Sequence, residues 1–220
     1  MVDVGETRAS LTGLEHAAPD PFSRWLYRTK FDAKVEEGEE LVEQLPEVGV
    51  DPSSVDTIVA SHLHFDHVGG LASFPEARVV MSRIEYQRQL NRPLGAVPAL
   101  WPDNLDPQLV DHQPEPELGM SAAPLTSTGD LLAVSTPGHS YGHQSVLLRT
   151  PEVDLFFAGD MVFTESQLVG DGIPGVSFDV AATRESKRQV VDYAQQRPTV
   201  FLPAHDPAAP TRLADSVTVF

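Results

Sequence analysis

Residues Ser61-His62-Leu63-His64-Phe65-Asp66-His67-Val68-Gly69-Gly70 place three histidines and one aspartate within positions 62–67. In extended backbone His62 and His64 point the same way, because strand side chains alternate with a period of two. Asp66 and His67 then turn off to serve a neighbouring point, and Gly69-Gly70 lets the backbone turn tightly into the next segment. Packing three histidines beside an aspartate has little structural use, since each buried imidazole needs its own partner. Neutral imidazole and carboxylate are the ligands that suit Zn²⁺, Mn²⁺, Fe²⁺ or Co²⁺. Three further fragments put a His or Asp just past an apolar run, beside proline or a small residue: Thr136-Pro137-Gly138-His139, Ala158-Gly159-Asp160 and Pro203-Ala204-His205-Asp206. Taken singly, such a residue is more often a turn former or a hydrogen-bonded core residue than a ligand. The cluster at 62–67 carries the metal reading.

The chain has 220 residues, with 15 Lys and Arg against 32 Asp and Glu, a net charge of −17. That balance argues against a nucleic-acid backbone or an anionic membrane as partner. It leaves a bound metal as the source of positive potential for a small-molecule substrate. There is no cysteine, which excludes disulfides, thiolate-ligated metals and a thiol nucleophile. Hydrophobic residues make up 41%, enough for a packed core. No run approaches the ~20 apolar residues that span a bilayer. Met1-Val2-Asp3-Val4-Gly5 shows no signal-peptide pattern, and a cytoplasmic address is the default expectation.

The elements that must position these groups are short and punctuated by 19 prolines. Residues 36–48 read as a helix with Leu41, Val42, Leu45 and Val48 on one face, ended or kinked at Pro46. The turn Asp51-Pro52-Ser53-Ser54 leads into an apolar strand over 55–61 that stops at the histidine cluster. A strand over 77–82 precedes a helix over about 84–90. Residues 91–119 have no clear period and read as a long loop or lid. Strands follow at 131–136, 144–150 and 153–158, then an irregular stretch over 163–178. A helix over about 180–196 is capped by Asp179 and stopped by Pro198, and a last buried strand spans 199–202. This alternation predicts one α/β domain over residues 1–220, with functional groups at strand ends.

The order His62-x-His64-x-Asp66-His67, His139, Asp160, His205 resembles the metallo-β-lactamase superfamily from Val2 to about Asp206. The resemblance implies an α/β (α+β) fold, a four-layer αβ/βα sandwich of two facing sheets with helices outside. It implies two divalent metals, foremost zinc, with manganese, iron or cobalt as alternatives. His62, His64 and His139 would hold one, Asp66, His67 and His205 the other, and Asp160 would bridge them. Asp66 and Asp160 are then the candidate catalytic carboxylates. Two such cations lower the pKa of a shared water from about 15.7 to about 7, giving a hydroxide that attacks a carbonyl or phosphoryl centre.

Within the superfamily the chain is most similar to the N-acyl homoserine lactonases. The resemblance rests on residues 61–70, on Thr136-Pro137-Gly138-His139-Ser140-Tyr141-Gly142-His143-Gln144-Ser145, on Gly159-Asp160 and on Ala204-His205-Asp206. It implies ring-opening hydrolysis of a lactone. Phe163 stands where those lactonases carry a tyrosine that helps hold the substrate carbonyl. A phenyl ring cannot donate that bond, so Tyr141 and Tyr193 are candidate substitutes. Met1-Val2-Asp3-Val4-Gly5 looks like a family strand that relatives precede with others. The expectation is either a misassigned start or a short first sheet whose exposed edge invites pairing with another chain.

Asp3 resembles the family's aspartate that orients metal ligands, with a turn residue as the competing reading. Phe65 and His143 are further candidates around the ligands. His16 and His112 read as surface residues. Residues 14–31, with Phe22, Trp25, Leu26 and Tyr27, read as an amphipathic packing segment in preference to a substrate lid, and Trp101 carries the same two readings. The competing functions are a same-fold arylesterase or organophosphate triesterase, and a non-catalytic metal- or partner-binding protein.

Overall fold

Val79, Val80, Met81 and Ser82 are buried one after another, the mark of a strand covered on both faces. They belong to β2 (Arg78–Ser82), which pairs in parallel with β1 (Thr57–Val59) in the register Ile58↔Val79. With β3 (Gln108–Val110) they form a three-stranded sheet in the order β1-β2-β3. The computed structural model describes residues 1–18, 20–30, 33–89 and 95–220, without the side chains of 15, 16, 26, 30 and 89. The expectations for His16, Leu26, Phe31, Leu90 and the start of the 91–119 segment therefore lie outside the described residues. The described chain divides into two units, Met1–Met81 with Tyr86–Leu109, and Ser82–Glu85 with Val110–Phe220.

In the first unit Ile58, Ala60, Leu63, Leu71 and Met81 form the core under the small sheet. Residues 14–31 fall in two helices, α1 (Arg8–Ala17) and α2 (Pro21–Lys30). Thr7 and Ser10 cap α1 reciprocally, each side chain accepting the other's backbone N–H. Leu14, Ala18 and Tyr27 bury against Phe65 and Val97, so this face is packing, while Phe22 and Trp25 stay exposed. Trp101 likewise packs onto the core. The helix expected over 36–48 forms only as α3 (Leu41–Gln44) and a 3-10 turn over Leu45–Val48. Gly38 at φ 88° takes a left-handed turn that no helix accommodates. Leu41, Val42 and Leu45 reach the core, but Val48 is 75% exposed. The short α4 (Phe65–Val68) starts inside the histidine motif, and α5 (Arg83–Gln89) follows β2.

The second unit is built on a six-stranded sheet in the order β4-β5-β6-β7-β8-β9. The strands are β4 (Gln113–Glu115), β5 (Met120–Pro124), β6 (Leu131–Ser135), β7 (Gln144–Leu148), β8 (Asp154–Gly159) and β9 (Thr199–Pro203). Neighbours are antiparallel except β8 and β9. The segment expected as one long loop thus contains β3 and β4. Three-residue strands show no alternation, and Pro114 suits β4 only because an edge strand tolerates a missing N–H. The irregular stretch over 163–178 contains α6 (Glu165–Val169). The next helix, α7 (Val180–Ala194), has Asp179 accepting from the Ala182 N–H at its N-cap. A final α8 (Ala209–Asp215) had no strong periodic signal. Phe156 and Phe201 stack at 5.7 Å within this core. No helix among the described residues is long and apolar enough to cross a membrane.

The buried Asp154 carboxylate ties α7 and the residues just after it to β8. Asp154 accepts from Thr150 N, from Arg197 Nε and Nη2, and from the Tyr193 hydroxyl. Burial and then the Asp154 carboxylate push the Tyr193 phenol up to about 12. Burial works against the Asp154 charge, yet Arg197 and Tyr193 hold its pKa below the usual carboxylate value. The Tyr193 contribution is complete below its ordinary pKa of 10.0 and is lost as pH rises through about 12. The Asp154 contribution is present above about pH 4 and is lost as pH falls through its lowered value. Tyr193→Phe is expected to lower unfolding free energy by about 1–3 kcal/mol at neutral pH. The gap between variant and parent should close towards pH 12, as read by urea unfolding across pH.

Candidate functional site

The first unit carries Asp3, His62, His64, Phe65, Asp66 and His67. The expected N-terminal strand is a single parallel bridge, Val2 to Val59. Asp3 stands at φ 51°, which takes the chain out of extended conformation after one pair. Its N–H donates to Val59 O, and its carboxylate is thereby delivered to the end of β1. Oδ1 accepts from Ser61 N at 2.7 Å and Oδ2 from Ser61 Oγ at 2.7 Å. Oδ2 also lies 2.8 Å from His67 Nδ1. A carboxylate only accepts, so His67 carries a proton on Nδ1, the tautomer whose neutral form is basic at Nε2. Ser61 Oγ has spent its proton on Asp3, so at 3.0 Å it accepts from His62 Nδ1. One aspartate therefore sets the tautomers of two histidines.

The His62 ring centroid is 4.4 Å from that of His64 and 4.1 Å from that of His67. All three are buried. Asp66 Oδ2 stands 3.7 Å from His67 Nε2. Gly95 (φ 82°) backs this cluster: a Cβ there would come within 2.4 Å of the His64 ring. Phe65 turns away into the core, edge-on to Tyr27 at 5.7 Å.

The second unit carries His139, His143, Asp160, Phe163 and His205. Strand direction gathers them. β6 and β8 run the same way with β7 antiparallel between them, and β9 is parallel to β8. The C-terminal ends of β6, β8 and β9, followed by His139, Asp160 and His205, thus share one end of the sheet. His143 precedes β7 and joins them there. His139 Nδ1 donates to the Val176 carbonyl at 2.9 Å, which leaves Nε2 as its basic nitrogen. Asp160 Oδ2 faces that nitrogen at 3.4 Å, and Oδ1 faces His205 Nε2 at 3.2 Å. A carboxylate oxygen facing a basic imidazole nitrogen is two acceptors together, an arrangement satisfied by a shared cation. Imidazole and carboxylate without thiolate fit zinc and its divalent neighbours.

His143 holds Asp160 through its backbone, since Nε2 accepts the Asp160 N–H at 3.0 Å. The proton must then sit on Nδ1, which lies 2.9 Å from Thr136 Oγ1. Thr136 Oγ1 is 2.8 Å from Ser145 Oγ, which donates to Ala158 O at 3.1 Å. Every link therefore has one direction, from the Asp160 amide to the Ala158 carbonyl. The loop after His205 is tied by Asp206. Glu165 N, Ala208 N and Arg212 donate to its carboxylate and hold its pKa below the ordinary value against the burial that raises it. The Phe163 ring stands in T-shaped contact with His205 at 5.3 Å and with His139 at 5.9 Å.

Two expectations fail here. Tyr193 cannot supply the hydroxyl that Phe163 lacks, because its own is committed to Asp154. His112 is not a surface residue: it is partly buried beside Gln144, and burial lowers its pKa despite that hydrogen bond. Tyr141 packs its ring against Phe178 at 5.5 Å. Thr136, Ser145 and the Val176 carbonyl had no signal in the sequence, because hydroxyls and backbone oxygens follow no ligand spacing.

A family model described as the metallo-beta-lactamase superfamily matches residues 12–205. The chain belongs to the metallo-beta-lactamase superfamily. N-acyl homoserine lactonase AttM of Rhizobium radiobacter is 29% identical over 169 residues, 76% of this chain and 64% of that protein. N-acyl homoserine lactonase AiiA of Bacillus thuringiensis subsp. kurstaki is 26% identical over 174 residues, 79% of this chain and 64% of that protein. The chain thus spans just under two thirds of these relatives' length. A solved N-acyl homoserine lactone hydrolase, with N-hexanoyl-L-homoserine at its catalytic metal centre, superposes with a TM-score of 0.72 at 23% identity. That match covers 100% of this chain and 79% of the solved one, and it gives the fold of this superfamily member.

Replacing Asp3 by alanine is expected to release both histidines from their Nδ1–H tautomers. Long-range ¹H–¹⁵N spectra of the imidazoles should show His62 and His67 as Nδ1–H in the parent and as tautomer mixtures in the variant. An unchanged pattern would contradict the assignment.

Proposed function

We propose that the chain is a dinuclear metal-dependent hydrolase that opens lactones or cleaves related esters, with N-acyl homoserine lactone-like molecules as substrate class. The observation that carries the reading is Asp160, whose two oxygens each face the Nε2 of a different histidine. That is the geometry asked of a bridging carboxylate. In this reading His62, His64 and His139 would hold one cation, Asp66, His67 and His205 would hold the other, and Asp160 would serve both. Zinc is the favoured metal; manganese, iron and cobalt suit the same donors. Two divalent cations there would bring the pKa of a shared water towards neutrality and polarise the carbonyl under attack.

The chain's own residues do the rest. Asp3 and Ser61 keep His62 and His67 in the ligand tautomer, and Val176 does so for His139. His143 aims Asp160 by holding its amide. Phe163 sets an apolar ring beside the His139 and His205 imidazoles. The names of the relatives support the lactone class.

Elemental analysis paired with hydrolysis of an acyl homoserine lactone and an aryl ester tests the reading. The expected result is close to two metals per chain, with lactone turnover that a chelator abolishes. Asp160→Asn and His62→Ala are each expected to cut turnover by more than about 100-fold. Parent-like rates in either would sink the dinuclear mechanism.

Phe163 favours a second reading, an arylesterase or organophosphate triesterase built on the same site. An apolar ring, and not a hydroxyl, faces both His139 and His205. Two metals with aryl ester turnover alone would select it. Under the first reading, Phe163→Tyr is expected to raise kcat/KM for the lactone, and an unchanged value would retire the missing hydroxyl as the cause of any weak activity.

A further inference from the structure

Glu85 stands in the first turn of α5 and is fully buried, at 0% exposure. Its Oε2 accepts from Ser140 Oγ at 2.7 Å and from Gly142 N at 2.9 Å. Both donors sit in the loop 136–143, one and three residues after His139. Gly142 lies so flat against Glu85 that a Cβ on it would fall 2.2 Å from the Glu85 backbone nitrogen. The other side of the loop is gripped by α7 and the residue before it. Ser186 Oγ donates to Pro137 O and Asp179 N to Gly138 O. His139 is therefore held between two anchors.

An ionisable carboxylate is a costly group to bury, and its hydrogen bonds are what offset that cost. An apolar residue would fill position 85 with no such cost. The return lies with the donors, which are the residues that set where His139 stands. We propose that Glu85 is a positioning residue: its carboxylate clamps the loop 136–143 and thereby fixes His139 for metal binding. The inference rests on the metal reading above, and it adds a residue 55 positions before Ser140 in sequence.

The test uses the full chain with Glu85→Gln, Glu85→Ala and Ser140→Ala. Two readouts are taken: amide hydrogen exchange of peptides covering 137–143 in metal-free protein, and zinc affinity by competition with a chromophoric chelator. A glutamine oxygen accepts the same two bonds, so Glu85→Gln should keep parent-like exchange and affinity. Glu85→Ala should exchange about ten-fold faster in that loop alone, the size of one net hydrogen bond. Its zinc affinity should fall by about 10–100-fold. Folded Glu85→Ala with parent-like exchange and affinity overturns the clamp, as does Glu85→Gln as damaged as the alanine variant. If Glu85→Ala does not fold, Ser140→Ala decides: faster loop exchange supports the clamp and parent-like exchange refutes it. A parent that binds no zinc sinks the metal reading, and the exchange measurement still decides the clamp.

Discussion

A buried imidazole offers one nitrogen as a base only when its other nitrogen has an acceptor, and that condition organises this structure. His62, His67 and His139 each have Nδ1 within hydrogen-bond distance of a defined oxygen, from Ser61, Asp3 and Val176. Two of the three acceptors come from far along the chain. Asp3 lies 64 residues before His67, and Val176 lies 37 after His139. The bend at Asp3 and the loop ahead of α7 follow from that demand. Each delivers an oxygen to a ring that would otherwise bury an unsatisfied N–H, at a cost of about 1–3 kcal/mol.

The two units meet the same condition by different means. In the first, a three-residue strand supplies direction and one carboxylate supplies the chemistry for two rings. Glycines give the rings room, with Gly95 flat beneath His64. In the second, direction comes from a large sheet. Strands running one way end together, so residues up to 66 positions apart in sequence, from His139 to His205, reach one end of it. The apolar core formed by Leu132, Leu147, Phe156 and Phe201 makes those ends rigid. Irregular backbone beyond them is then free to carry polar groups.

Much of this was legible from residue types and spacing. The histidine motif announces itself because three imidazoles and a carboxylate in six positions have few other uses. The strands at 131–136, 144–150, 153–158 and 199–202 formed within a residue or two, because each holds an unbroken stretch of at least three apolar residues. Asp179 as cap of α7 was readable from a short acceptor ahead of a periodic segment. What the sequence hid was the short and the indirect. Strands β3 and β4 are too brief to alternate, and β4 contains a proline. The helix over 36–48 was overcounted, since Gly38 takes a left-handed turn at its start and Pro46 interrupts its end. The partners of the histidines were hidden most thoroughly, because a serine, a threonine and a peptide carbonyl look the same in sequence whether or not a ring leans on them.

The hydrogen-bonded line from Asp160 through His143, Thr136 and Ser145 to Ala158 points one way only. Each hydroxyl in it is both donor and acceptor, and neither can be replaced by a group that does only one. Position 136, just past β6, and position 145, on β7, are therefore coupled through one hydrogen bond. Valine at 145 would take away the acceptor of the Thr136 hydroxyl, and valine at 136 would leave the Ser145 oxygen without that donor. Natural variation among close kin of this chain should accordingly move these two positions together, and a designer who reshapes the end of this sheet has one choice to make there and not two.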